Sequence, residues 1–377
     1  MATPPPPRRS GHLTSRRTVL GLGIASTIGI FGRSEHCEGA GPPKQSIQRG
    51  IAKIELALSL PVSGAATAVA WSADGSRLAA ASNYGADLTV WDTSGHIISQ
   101  FNRSGRGLYV DNSLCFADSG RLLVTPSAPS APQDAALTIW DVATGKDIQD
   151  VAGPASGQPP AFNLAYHFVV SPDQKRIAIA PARNDLANVV IYDATSWKPL
   201  VRIPRDRGAA SSFDFSPDSR WLAIGTFGGN VLIVDRESGA SVATLRIFTS
   251  PVNNPVGSIA FSPDGTLLAA GGGAGGDASR VTEPVRVHSV ADGSLIAAYQ
   301  GARQPIWKLA WVLDGRALAF VSSDKTVRVW HPRGNAGPGT STGFSPNLMS
   351  IAASPDGGRL AVTDDTRVNI YRLSPVQ

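Results

Sequence analysis

SPDGTLLAAGG, residues 262–272, joins a tight turn to a short apolar strand. In Ser-Pro-Asp-Gly, proline presets φ at the second position of a type I turn and glycine suits the fourth. Nearly the same phrase recurs as WSADGSRLAAAS, VSPDQKRIAIAP, FSPDSRWLAIGT, WVLDGRALAFVS and ASPDGGRLAVTD, with FADSGRLLVT as the least regular copy. The residue before the turn is Trp71, Phe116, Val170, Phe215, Phe261, Trp311 and Ala353, at intervals of 45, 54, 45, 46, 50 and 42 residues. A turn repeated at near-constant spacing is an architecture.

Each turn phrase is followed by a second one: LTVWDTSGH, LTIWDVATGK, VVIYDATSWK, VLIVDRESGA, VRVHSVADGS, VRVWHPRG and VNIYRLSP. These are β-branched strands tipped by aromatic residues, most ending in a polar turn. Another short strand follows most of them, as in HIISQFN, KPLVRIP, SVATLRI and SLIAAYQ. The unit is therefore four antiparallel strands, a to d, recurring every ~45 residues, which is the period of a propeller blade. The expected fold is all-β, a seven-bladed β-propeller of four-stranded antiparallel blades.

Trp91-Asp92, Trp140-Asp141 and SSDKTVRVW at 322–330 resemble the WD-repeat β-propeller family, and the resemblance covers residues 51–377. The chain would be a degenerate bacterial member, because the Gly-His dipeptide that precedes strand a in the family is missing from every blade. The resemblance implies a partial version of the family's buried hydrogen-bond network, with Asp324 and Trp330 as its best surviving members. It also implies a scaffold that binds a protein or peptide.

The seventh copy supplies strands a to c and the sequence ends at Gln377. A three-stranded blade would leave a bare edge open to wrong pairing. IAKIELALSL at 51–60 alternates Ile54, Leu56, Leu58 and Leu60 against Glu55, Ala57 and Ser59, the pattern of a strand with one buried face. It is expected to be strand d of blade seven, closing the ring.

Residues 1–40 read as an export signal and its tail, and 41–50 as a linker. A basic, acid-free start precedes a short apolar stretch at 18–31, and SRRTVL resembles the twin-arginine signal with Arg16 and Arg17 as the pair. The propeller is expected to be periplasmic or otherwise exported; an uncleaved leader would tether it to the membrane. This segment holds most of the net charge of +5, leaving +2 on the remainder, so no general attraction to nucleic acid is expected. Of the two cysteines, Cys37 falls in the leader's tail and Cys115 in an apolar strand, where a thiol acts as a small hydrophobe.

No catalytic template marks an active site: the body's histidines, His96, His167, His288 and His331, lack metal-pair spacing, C-x-x-C-H does not occur, and no G-x-S-x-G marks a serine nucleophile, the literal match GTSTG at 339–343 included. GGGAGG at 271–276 follows a strand but does not open a helix, so it reads as a loop rather than a dinucleotide site. His167 reads as a satisfied blade histidine. The aspartates repeat blade by blade, in the a–b turns (Asp74, Asp173, Asp218, Asp264, Asp356) and the c–d turns (Asp92, Asp141, Asp193, Asp235), which marks them as scaffold. No cofactor is expected. The alternative is an enzyme or cofactor carrier of the lactonase-like or quinoprotein-like kind, since fold alone decides no function.

The long connections, 102–113, 126–136, 151–163, 273–284 and 333–347, all read as d–a or b–c links, which emerge on one face around the channel mouth. Insertions confined to one face mark a binding face in repeat proteins. Arg205, Arg207, Arg303 and Lys308 are the candidate partner-binding residues there, with Arg103, Arg106, Arg183 and Arg280 in loops of the same face. They point to an acidic or carboxylate-bearing partner. Arg77, Arg121 and Arg176 lie beside the opposite turns.

Overall fold

The computed structural model describes residues 52–83, 86–102, 113–126, 135–152, 166–181, 189–204, 209–248, 255–272, 284–301, 304–334, 339–341, 344 and 348–375. The chain divides after Pro43 into two units, and every described residue lies in the second, Lys44–Gln377. The described residues form seven four-stranded antiparallel sheets with no α-helix. Six sheets run a-b-c-d in chain order, within 66–102, 115–152, 166–203, 210–246, 258–299 and 306–341. The seventh joins strands at 351–353, 359–364 and 367–375 to Ala52–Pro61 from the start of the chain. The ring of seven blades, and its closure by the N-terminal strand, are as expected.

The recurring turn works through a buried serine. In blade five, Ser262 Oγ donates to Asp264 Oδ1 (2.5 Å) and accepts from Leu267 N–H (2.9 Å), while Thr266 N–H reaches the same carboxylate oxygen (3.0 Å). Gly265 N–H closes the turn on Ser262 O at 2.8 Å, with Gly265 at φ +71°, where a side chain would be strained. Ser72, Ser171, Ser216 and Ser354 make the same pair of bonds, to Asp74 and Arg77, Asp173 and Arg176, Asp218 and Trp221, and Asp356 and Arg359. All five serines are buried. The hydroxyl holds Asp74 well below the carboxylate range, from 3.8 to about 2, and is the leading cause of the downward shifts at Asp218, Asp264 and Asp356. Because the folded-state value of Asp74 is lowered, its contribution is present above the unfolded value and is lost as pH falls toward about 2. Replacing Ser262 with Ala strands a buried N–H, so Ser262→Ala is expected to cost about 1–3 kcal/mol in urea denaturation. A cost indistinguishable from zero would show that the hydroxyl is dispensable.

Between blades lie seven apolar clusters, one in each gap. One packs Ile54, Tyr371 and Leu373 of blade seven against Val312, Val321 and Val329 of blade six. Another packs Leu60, Val368 and Ile370 of blade seven against Ala66, Leu78 and Trp91 of blade one. The closing strand therefore serves both neighbours. It does so because its register on strand c shifts between Leu56, opposite Tyr371, and Leu58, opposite Ile370. The extra residue, Ala57, forms a bulge that moves the later side chains to the other face. The single buried face expected from the alternation is corrected accordingly: Ile54 and Leu60 are buried on opposite faces, and Leu56 is 43% exposed.

Candidate functional site

The a–b/c–d face is stapled by arginines. Arg77 of blade one donates to Gly120 O of blade two at 2.8 Å. Arg176 of blade three meets Asp193 at 3.3 Å and Glu237 of blade four at 3.2 Å, and Arg236 returns to Asp173 at 2.7 Å. Arg121 pairs locally with Asp118 at 2.6 Å. Arg77 and Arg176 thus tie neighbouring blades together, so this set is structural and would be a poor neutral control for binding.

On the opposite face, blades two to six build a pocket of about 310 Å³ at the channel mouth, with Ser113, just ahead of strand a of blade two, at one end. Strand a of blade three (Tyr166–Val170) supplies His167 and Phe168. Blade four contributes Ser211, Ser212 and Phe213 from strand a (Ala210–Phe215), and Phe227 from just beyond strand b. Blade six contributes Ile306, Trp307 and Lys308 from the start of its strand a (Ile306–Val312). Between them, 255–259 of blade five form the floor with Gly272.

That floor is pinned by polar bonds. Ser211 Oγ and Ser212 Oγ both donate to Val256 O, at 2.9 and 2.6 Å, and Leu309 N–H donates to Ser258 Oγ at 3.1 Å. Gly225, behind Ser212, cannot carry a side chain, because a Cβ there would run into Ser212 Oγ and the Val256 carbonyl. Gly272, the second residue of the glycine run, packs against Pro255 O and Phe248, and its carbonyl accepts from Ile306 N–H at 3.2 Å. It links blades five and six, and the rest of the run lies outside the described residues.

Most exposed large hydrophobic residues sit in strands d around the circumference, among them Ile97, Ile148, Leu200, Val242 and Leu295. Among the described residues the exceptions are Trp307, 47% exposed, and Phe227, 39% exposed, and both line the pocket. Isolated exposed aliphatics are ordinary; two aromatic rings turned to water at one concavity are the feature to explain. Next to Phe213 on the same strand stands Asp214, whose Oδ2 accepts from Phe261 N–H of blade five at 2.7 Å. Desolvation raises its carboxyl to about 7, against the opposing pull of that N–H and of the Lys308 charge. The surrounding protein mass thus outweighs the partial access that Asp214 keeps to channel water. Cys115, half-buried near Lys308, has its thiol pushed up by desolvation to about 12, so it is unreactive at neutral pH. Among the described residues no three His, Cys, Asp or Glu side chains cluster to hold a metal.

Of the candidate partner-binding residues, Lys308 lines the pocket. Arg205, Arg207 and Arg303 lie outside the described residues, as do Arg16, Arg17, Arg103, Arg106, Arg183 and Arg280. One expectation about the loops changes. The 333–347 stretch contains strand d of blade six, Gly339–Ser341, so its first part is a c–d connection on the opposite face. The tryptophans and aspartates of WD type are structural. Trp140 Nε1 donates to Thr125 Oγ1 at 2.9 Å, and Trp91 is buried. Asp92 and Asp141 accept backbone N–H groups of their own turns, from Ser94 and His96 and from Thr144. Asp324 pairs with Arg328 at 2.7 Å and accepts from Thr326 Oγ1 at 2.5 Å, while Trp330 packs on Tyr299 at 5.5 Å.

Seven four-stranded antiparallel sheets define a seven-bladed β-propeller. The model of the WD domain, G-beta repeat, matches residues 242–278 and 293–331, each match beginning in or just ahead of strand d of one blade and running on into the next. These two stretches are WD repeats, set in a seven-bladed β-propeller. The chain is 27% identical over 202 residues to an uncharacterized WD repeat-containing protein, sll1491, of Synechocystis, covering 50% of this chain and 53% of that one. It is 28% identical over 144 residues to Cell division cycle 20.1, cofactor of APC complex, of Arabidopsis thaliana, covering 38% and 29% respectively. With SEC12-like protein 2 of the same plant it shares 26% over 210 residues, 55% of this chain and 49% of the relative. The matches thus span from about three-tenths to about half the length of these curated relatives.

Proposed function

We propose that this propeller is an exported, non-enzymatic scaffold that binds an acidic protein or peptide segment on its d–a/b–c face, anchored at the mouth pocket. The observation that carries this reading is the convergence of Trp307 and Phe227, exposed aromatic rings from two blades, on one concavity beside Lys308. Aromatic anchors in a central pocket are the usual source of binding energy at protein interfaces. The WD-repeat fold supports a platform role, and one relative is named as a cofactor of a protein complex. Export rests on the SRRTVL signal with Arg16 and Arg17.

Affinity capture from the envelope fraction tests the reading. A partner recovered by the unaltered protein should be lost with Trp307→Ala/Phe227→Ala. Two anchor residues at about 2 kcal/mol each correspond to a loss approaching a thousandfold. Thermal unfolding should barely move, because both rings already face water. Retention of the partner by the double variant would remove the mouth as its site. Arg16→Lys/Arg17→Lys should leave the protein in the cytoplasm, whereas normal export of that variant would assign it to the general secretory route.

A further inference from the structure

The floor of the mouth pocket carries a stretch of main chain that the protein itself does not use. Val256 is held on both sides: its N–H donates to Thr226 O at 3.1 Å, and its carbonyl accepts from Ser211 and Ser212 of blade four. No described peptide bond is cis, so the Gly257 N–H points opposite to that carbonyl, away from the serines. In the strand that follows, Phe261 N–H turns off the sheet to Asp214. Alternation along an extended chain puts the backbone groups of Gly257 on the same side, the edge that strand a leaves unpaired. Gly257 is exposed, and neither its N–H nor its carbonyl has a hydrogen-bond partner among the described residues.

The fold does not require glycine there. Gly257 lacks a positive φ, and a Cβ would meet only Ile306 O at 3.4 Å and Gly271 O at 3.8 Å, which are ordinary contacts. What the missing side chain provides is close access to the backbone. That access lies between the two exposed rings. Thr226, which holds Val256, is followed by Phe227, and Ile306, whose carbonyl stands beside Gly257, is followed by Trp307. Trp307 is also the extra residue of a bulge, because strand a of blade six shifts register on strand b between Ile306 and Lys308. The corresponding bulge residues are Thr67 in blade one and Ser211 in blade four, small and buried. Of these three blades, only blade six uses the bulge to turn a large ring to water.

We propose that the mouth pocket recognises the main chain of an extended peptide segment, one residue of which pairs with Gly257 while an apolar side chain of the segment lies between Trp307 and Phe227. The segment gives its N–H to the Gly257 carbonyl and takes the Gly257 N–H on its own carbonyl. The proposal rests on the mouth being the binding face and adds the chemistry read there and the residue that reads it. Such pairing is strand addition reduced to one residue pair: the main-chain bonds hold the segment and the ring pocket selects the side chain. A segment with proline at the paired position has no N–H to give and is excluded.

The test uses the propeller with N-acetyl-phenylalanine methylamide as probe and its ester twin, in which an oxygen replaces the phenylalanine N–H. Both are titrated by NMR on the Trp307 indole signal, assigned with Trp307→Phe, and on the Gly257 amide, assigned with Gly257→Ala. The amide should bind roughly fivefold tighter than the ester, the worth of one hydrogen bond, and should move both signals. Gly257→Ala should melt as the unaltered protein does, yet bind the amide roughly tenfold more weakly, because the methyl crowds the incoming main chain. Equal binding of amide and ester, or an amide that moves Trp307 and leaves the Gly257 N–H unmoved, would overturn the proposal while leaving an apolar anchor pocket intact. Unchanged binding to Gly257→Ala would overturn it too, and binding of neither probe also counts against it. If Gly257→Ala melts early, the comparison of amide with ester on the unaltered protein decides alone. The scaffold reading is judged separately by partner capture: a partner lost with Trp307→Ala/Phe227→Ala but kept by Gly257→Ala would sustain that reading and sink this one.

Discussion

A chain lacking residues 52–61 is expected to lose cooperative unfolding and to self-associate. The deleted strand pairs with strand c of blade seven from Ala52 opposite Pro375 to Pro61 opposite Arg367. Its removal leaves a nine-residue strand with an unpaired outer edge, a template for another chain. It also takes Ile54 out of the gap to blade six and Leu60 out of the gap to blade one. Each such loss costs about 2–5 kcal/mol, so together they approach the ~5–15 kcal/mol that holds an ordinary domain folded. Size-exclusion chromatography and thermal melting of the truncated protein decide the matter. A monomer that melts like the full chain would show that the ring closes without this strand. Leu56→Ser supplies the internal contrast: Leu56 belongs to the same strand but faces water, and its replacement should shift stability by at most about 0.5 kcal/mol.

The second large effect is expected at Trp140. Its ring stacks on Phe101 of blade one with centroids 5.1 Å apart, and its indole N–H donates to Thr125 Oγ1. Trp140→Ala opens a large cavity between blades one and two and should cost about 3–5 kcal/mol. Trp140→Phe keeps most of the stacked surface and gives up the hydrogen bond, so a cost nearer ~1–2 kcal/mol is expected. Urea denaturation of both variants separates packing from hydrogen bonding. If phenylalanine proved as damaging as alanine, the bond to Thr125 rather than the stack would be the main contribution of this side chain.

The blade count and strand order follow from the turn phrase and its spacing, local signals repeated seven times, and the closing strand from the missing fourth strand of the last copy together with the alternation at 51–60. What escaped the sequence has physical reasons. The alternation of Ile54, Leu56, Leu58 and Leu60 is the same with or without a bulge, and only the register on 367–375 shows that Ala57 is extra. The serine at the head of five turns was visible as a letter, yet its burial and its second bond to the N–H five residues on come from the folded hairpin. The pocket is less legible still. Phe168, Phe227 and Trp307 stand far apart in sequence, and each reads alone as a strand or loop hydrophobe. Lys308 was found because it does not repeat. Asp214 was passed over, although it too lies outside the turn positions where the other blade aspartates recur. Non-repetition, applied to strand a as well as to the loops, would have found it.

The closing strand also sets a clock. Ser59 Oγ donates to Asn369 Oδ1 at 2.7 Å across 310 residues of chain, and the Leu56–Leu58 bulge gives this last pairing one register that fills both neighbouring gaps. Blades one to six can each form as synthesis proceeds, from strands that are near in sequence. Blade seven cannot, because its outer strand is made first and its inner three strands last. Until residue 375 has left the ribosome, Ile54 has no cover and Leu60 lacks its neighbours from blade seven, and the early strand must wait through the synthesis of residues 62–375. Such long-range pairing slows folding and prolongs exposure to wrong partners. The ring therefore matures in a single late step that needs both ends of the propeller present. Any block in that step leaves a fully translated, six-bladed arc as the species that chaperones and proteases meet.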